Sequence, residues 1–339
     1  MYVTVQYLRA AAALSVLLYH IVPFYGPVHG YYPFVFASGV DLFFVISGFI
    51  MVATTRKGFD PAAFAWARFW RVVPYWWVML FAYIGLRYLL NDPVPQTGDI
   101  VKSALLIPHF NQTWNEPLPI LGPGWSLTNE LVFYFIFGLT LACSVGRPLL
   151  HLGMLFGAFT ALVAMRLLAA PDSAIGIRLT SPMFFEFLLG SAVAYYLEPI
   201  TRYLKRYRLA LLAGGLAMLV VVNPLYFREG LPRVVVFGLP YMLVLAGLLL
   251  YEPQARRVEL AFLRKIGDAS YSLYLTHTLV VVVLERSGLF TVLPPVLATA
   301  AAVGIAVWVA LLAHALLEKP LLEAGRQRAR VKRALASAA

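Results

Sequence analysis

Apolar runs of about 18 or more residues recur along this chain, and each is long enough to cross a bilayer. Hydrophobic residues make up 61% of the 339 and charged residues 13%, where a soluble domain carries roughly 45–50% and about 25%. The chain therefore reads as an all-α, polytopic transmembrane bundle. Ten candidate spans fall at 4–24, 36–54, 72–90, 126–145, 149–169, 181–198, 209–226, 234–251, 269–289 and 292–317. Residues 1–320 are expected to form one transmembrane domain, with a basic tail at 321–339 and no internal repeat. The N-terminal segment reads as a retained first span, because its small-residue run (Ala10 to Ala13) precedes the apolar stretch instead of following it.

The net charge of +11 does not call for nucleic acid, since cytoplasmic loops of membrane proteins collect Lys and Arg. With the N-terminus in the cytoplasm, the alternating loops hold 20 basic residues inside, and the other 7 of the 27 fall outside. That asymmetry fits an even number of spans with both termini cytoplasmic. The single cysteine, Cys143, excludes an intramolecular disulfide. The longest outer loop, 91–125, carries six prolines with Trp114 and Trp125. This composition favours a folded cap, in which the tryptophans serve as sugar-stacking platforms or as interfacial anchors.

Against this apolar background, ionisable residues inside the spans mark functional candidates. Arg9 and His20 are eleven residues apart in the first span; at about 100° per residue they share one helix face, roughly 16 Å apart along the axis. By topology His20, Asp41, Glu130, Glu186 and Glu285 fall in the outer half of the bundle and His277 near mid-depth. Imidazole beside carboxylate is the pairing that general base chemistry uses. On the inner side Arg68 and Arg71, three residues apart on one helix, join Arg9 and Lys265 in a basic mouth suited to phosphate. Each has a plainer reading: headgroup anchors for Arg68 and Arg71, partners of buried hydroxyls for Asp41 and Glu130, a hydrogen-bonded interior residue for His277. His314 and Glu318, at i and i+4, read as a helix-end lock. His29, His109 and His151 carry no assignment.

Several motifs then occur in order: LRAAAALSVLLYH with Arg9 and His20; GVDLFFVISGFIM; RFWRVVP with Arg68, Arg71 and Pro74; GPGWSLTNELVFY with Trp125, Ser126 and Glu130; FEFLLG; GDASYSLYLTH with Ser270, Tyr271, Tyr274 and His277; and EKP with Glu318. On these the chain resembles the acyltransferase-3 family of integral membrane O-acyltransferases, especially its exopolysaccharide and lipopolysaccharide acetyltransferases. The resemblance implies transfer of an acetyl group from cytoplasmic acetyl-CoA, a co-substrate used without a metal, to a hydroxyl of an extracytoplasmic or lipid-linked glycan at the bacterial inner membrane. The basic mouth (Arg9, Arg68, Arg71, Lys265) would hold the CoA phosphates. His20 would be the general base, oriented by Asp41 or Glu130, with an acyl-histidine as the alternative route. Ser270, Tyr271 and Tyr274, with Trp125 and His277, would contact the substrate or its oxyanion. A relay through the SGNH hydrolase-like domain of some members is not expected. Two other classes stay open: a transporter or flippase using the intramembrane carboxylates and histidines, disfavoured by the lack of a repeat, and an inactive scaffold or sensor, disfavoured by the intact Arg9 and His20.

Overall fold

A computed structural model describes residues 2–25, 34–56, 58–111, 116–169 and 173–338. Lys57, His29 and Trp114 lie outside the described residues, so the stacking role considered for Trp114 has no structural counterpart here. The described chain is helical apart from turns and one isolated bridge between Asn111 and Glu116. The helices run α1 Val3–Ile21, α2 Gly39–Thr55, α3 Pro61–Leu89, α4 Thr97–Ala104, α5 Gly124–Cys143, α6 Pro148–Ala169, α7 Ala174–Leu179, α8 Phe184–Tyr195, α9 Leu197–Leu204, α10 Arg208–Glu229, α11 Leu239–Leu249, α12 Glu252–Arg257, α13 Ala261–Asp268, α14 Ser270–Arg286, α15 Leu289–Val292, α16 Pro295–Ala313 and α17 Lys319–Ala338.

All ten apolar segments fall on helices. Among the described residues six helices are long and apolar enough to cross a membrane, or seven if α13 and α14, bent by 74° relative to each other, count as one span. Helix α3 starts at Pro61, eleven residues before the expected span. Asp60 caps it, accepting from the backbone N–H of Ala62 and Ala63, which satisfies donors every helix start leaves free. The segment 319–338 is no loose tail: α17 lies along α3, and the Trp66 indole donates to the Gly325 carbonyl at 3.0 Å. The described part of the 91–125 loop is folded as a cap. Its helix α4 is tied to α3 by the Trp76 and Trp77 indoles, which donate to the carbonyls of Ser103 and Ala104.

Two packed regions hold the bundle. In the larger, α2 and α8 touch backbone to backbone, because Gly48 and Gly190 face each other's helix. A Cβ on Gly48 would sit 1.9 Å from the Phe187 carbonyl oxygen, and one on Gly190 1.8 Å from that of Val45. Small residues at such contacts let helices approach closely where lipid offers little hydrophobic drive. Beside it Phe44, Phe187 and Phe133 stack in sequence, with centroids 4.4 and 4.0 Å apart. In the smaller region Ala298, Ala302, Ala306 and Ala310, one every four residues, give α16 a flat buried ridge in the region formed with α1 and α14. The start of α1 is closed from outside: Glu252 on α12 accepts from the backbone N–H of Val3 and Thr4 and from the Thr4 hydroxyl.

Candidate active site

A cavity of about 810 Å³ opens among α2, α3, α5, α14 and α17. Its lining on α2 runs from Val40 to Thr54, a depth of about 21 Å at 1.5 Å per residue. At the wide end stand Asp60, Arg326 and Arg330, then Arg68, Arg71 and Arg9; at the narrow end stand Val40, Phe43, Ser126 and Tyr274. Helical spacing explains this gradient. On α14, Ser270, Tyr271 and Tyr274 recur at three to four residues and share the face turned inward, as do Ser126, Glu130 and Tyr134 on α5.

The arginines differ in how far they are committed. Arg71 donates to Glu318 at 2.6 Å, and its guanidinium lies 5.1 Å over the Tyr271 ring. Glu318 is buried and also accepts from Ser272 at 2.7 Å and meets His314 Nδ1 at 2.9 Å. The helix-end lock read from the sequence thus extends to α3 and α14. Arg68 lies over Phe64 and Tyr134, and Arg9 is buried, its nearest hydrogen-bonding partner Gln6 at 3.4 Å. Lys265 is exposed on α13 and absent from the cavity wall. The end of the wide mouth is supplied instead by Arg326 and Arg330 of α17. The sequence did hold a signal for these two: Leu322, Gly325, Arg326, Ala329 and Arg330 follow the i, i+3, i+4, i+7, i+8 pattern of one helix face.

Beyond the narrow end stand two histidines. The His20 and His277 rings are 4.8 Å apart centroid to centroid, and the Tyr274 ring is 6.0 Å from that of His277. His20 Nδ1 lies 2.9 Å from the Val16 carbonyl and His277 Nδ1 3.2 Å from the Leu273 carbonyl. A carbonyl only accepts, so both Nδ1 atoms carry the proton and both Nε2 lone pairs are left as acceptors. The His277 Nε2 has Thr278 Oγ1 at 3.4 Å. Among the described residues nothing hydrogen-bonds His20 Nε2, and His20 is only half-buried. Tyr274 packs edge-on to Phe43, and its hydroxyl meets Ser126 Oγ at 2.7 Å and the Pro123 carbonyl at 3.1 Å. Tyr274 thus both lines the cavity and lies beside His277.

The carboxylates expected to orient His20 have other partners. Asp41, fully buried, receives a two-pronged contact from Arg233, Nε to Oδ1 at 3.0 Å and Nη2 to Oδ2, with the buried Glu186 alongside. Glu130 lines the cavity and accepts from Ser47 Oγ at 3.0 Å and from the Tyr134 hydroxyl. Glu285 is exposed. Equal depth in a bundle therefore did not mean equal azimuth: His20 pairs with a second histidine, and its tautomer is fixed by backbone. Trp125 has one face covered by the Arg178 guanidinium at 4.8 Å. Ser270 Oγ is buried and, among the described residues, makes no hydrogen bond, while Tyr271 donates to the Val72 carbonyl. Among the described residues no group of three His, Cys, Asp or Glu side chains is placed to hold a metal ion.

Comparison with known proteins adds a second line. The Acyltransferase domain family model matches residues 2–315. The Exopolysaccharide production protein ExoZ of Rhizobium meliloti (strain 1021) is 31% identical over 86% of this chain and 91% of its own length. The Acyltransferase MdmB of Streptomyces mycarofaciens is 26% identical over 71% of this chain and 67% of its own. No solved structure gives a significant match.

Proposed function

We propose, from the premise that this chain belongs to the Acyltransferase domain family, that it moves an acetyl group from cytoplasmic acetyl-CoA to a hydroxyl of an extracytoplasmic or lipid-linked glycan in the bacterial inner membrane. The bundle crosses ten times with both termini in the cytoplasm, and residues 1–320 form the catalytic unit. One observation carries this reading. A shaft about 21 Å deep is lined by arginines at one end and stops, at the other, one ring short of a histidine pair. CoA is too highly charged to cross lipid but has a long, nearly neutral arm. Its phosphates belong at the arginine end, with the arm threaded along α2 and the thioester arriving at Tyr274.

His20 Nε2 takes the proton of the acceptor hydroxyl as that oxygen attacks the thioester carbonyl carbon. When the C–S bond breaks, the imidazolium returns the proton to the departing thiolate, so that CoA and the O-acetyl glycan leave with the base regenerated. The Nδ1–H bond to Val16 keeps the Nε2 lone pair available throughout. Tyr274 and Ser126 at the narrow end, with Ser270 one helical turn before Tyr274 on the cavity wall, act as donors to the developing oxyanion. Asp41 and Glu130 act one step removed, by holding Arg233 and Tyr134. General base catalysis of this kind is worth roughly 10²–10⁴ in rate.

The test is CoA release from purified protein supplied with acetyl-CoA and deacetylated surface glycan. Release that depends on the acceptor and falls about 10²–10⁴-fold in His20→Gln supports the reading. Acceptor-independent behaviour, or full activity in His20→Gln, refutes the role of His20. Loss of surface glycan without loss of acetyl per sugar in a deletion strain would favour transport.

A further inference from the structure

The family match ends at residue 315, yet the cavity wall continues past it. Leu322, Gly325, Arg326, Ala329 and Arg330, all on α17, line the wide end. This helix is held firmly: Gly325 is buried against Trp70, where a Cβ would lie 2.5 Å from the indole, and its carbonyl takes the Trp66 N–H. Arg328, on the same helix, stacks on Trp70 at 4.9 Å and does not line the cavity.

Charge supply at that end is the second observation. Arg71 is neutralised by Glu318, and Arg68 is spread over two aromatic faces. The one carboxylate at the rim, Asp60, is occupied in capping α3. Among the described residues, Arg326 and Arg330 enter no ion pair. They lie one helical turn apart on the same face, the spacing at which two guanidinium groups converge on one anion. Planar, permanently charged forks of this kind suit phosphate oxygens in two-pronged contacts.

We infer that α17, beyond the region matched by the family model, completes the open end of the shaft as a phosphate-binding wall, with Arg326 and Arg330 holding the phosphate groups of the acyl donor. The inference rests on the donor being a CoA thioester. An anionic lipid headgroup offers the same chemistry, and the experiment separates the two sources.

Full-length protein is reconstituted in nanodiscs of phosphatidylcholine alone, and of phosphatidylcholine with phosphatidylglycerol. Acetyl-CoA binding is measured by calorimetry for wild type, Arg326→Gln/Arg330→Gln, Arg326→Lys/Arg330→Lys and Arg328→Gln. The expected result, in both lipids, is a Kd raised about tenfold or more in the double Gln variant, consistent with charged hydrogen bonds being the strong ones. The Lys pair should recover most of that loss, and Arg328→Gln, which removes one charge from the same helix outside the cavity wall, should stay within about twofold of wild type. Wild-type binding with an unchanged Kd in the double Gln variant overturns the inference and leaves the donor reading standing. A loss confined to discs containing phosphatidylglycerol also overturns it and assigns the two arginines to lipid headgroups. Wild type that binds no acetyl-CoA in either lipid overturns the donor reading and this inference together. An equal loss in Arg328→Gln overturns it too, by showing a general charge effect of α17.

Discussion

Replacing Gly190 by alanine tests the helix contact on which the shaft's geometry depends. The added Cβ would fall 1.8 Å from the Val45 carbonyl oxygen, 2.7 Å from its carbon and 3.0 Å from the Phe49 nitrogen. All three are backbone atoms of α2, so no rotamer change relieves the overlap. Restoring an ordinary carbon–oxygen separation of about 3.3 Å forces α2 and α8 apart by roughly 1.5 Å. Gaps of about 0.5–1 Å already forfeit a quarter to a half of the dispersion attraction at each contact, and overpacking typically costs about 1–3 kcal/mol. We expect a loss at the upper end of that range, read as a lower Tm by tryptophan fluorescence in detergent. Under the proposed function acetyl-CoA turnover should fall with it, because α2 lines the shaft from Val40 to Thr54. Gly157→Ala on α6 is the matched control. Nothing lies within 4 Å of its added Cβ, so the gain in helix propensity of about 1 kcal/mol should leave Tm unchanged or higher. Equal Tm values for the two variants would refute the reasoning.

Glu318→Gln strands Arg71 beside a buried site, and breaking such a pair costs about 3 kcal/mol or more; thermal unfolding of the variant in the same detergent checks it, and an unchanged Tm would show the pair contributes nothing. Burial alone would raise the Glu252 carboxyl, but hydrogen bonds from Thr4, Val3 and Arg256 hold it below its ordinary range. Its folded value being depressed, its stabilisation is complete above the unfolded value of about 4.3 and disappears as pH falls through the folded one; Tm against pH should lose part of its acid limb in Glu252→Gln, and superimposable curves would contradict this. Cys143 is the single cysteine and is exposed at the end of α5, which the proposed topology puts at the cytoplasmic side. A membrane-impermeant maleimide should label it in inverted vesicles and spare it in spheroplasts; the opposite pattern would invert the topology.

The helices were legible because apolar runs and their polar interruptions are local signals. Arg9 with His20, and Arg68 with Arg71, share helix faces by spacing alone, and the folded cap over α3 follows from proline and tryptophan content. Partnerships between distant segments were not legible. Depth along a span put Asp41 level with His20, but nothing in the sequence says which way α2 is rotated against α8 and the segment after α10. Arg233, 192 residues away, is the partner Asp41 takes. His277 pairs with His20 for the same reason, through the packing of α14 on α1. Lys265 has the right charge and depth but lies on the outer side of α13. The face of α17 was readable as a helical pattern, although its docking on Trp66 and Trp70 depends on tertiary contact.

The packing of Phe43 on Tyr274 at the end of the shaft has an electrical consequence. In the proposed topology, with α2 taken along the bilayer normal and the shaft filled with water, about 21 Å of a hydrocarbon layer of about 30 Å would be bridged, leaving roughly 10 Å of packed side chains to sustain the membrane voltage. A field normally spread over the whole layer is concentrated there, at about 2.3 kcal/mol per elementary charge for each 100 mV fully traversed. In that topology the two rings would insulate as well as pack. A positive charge formed on His20 in the proposed reaction would then arise beside the steepest part of that drop.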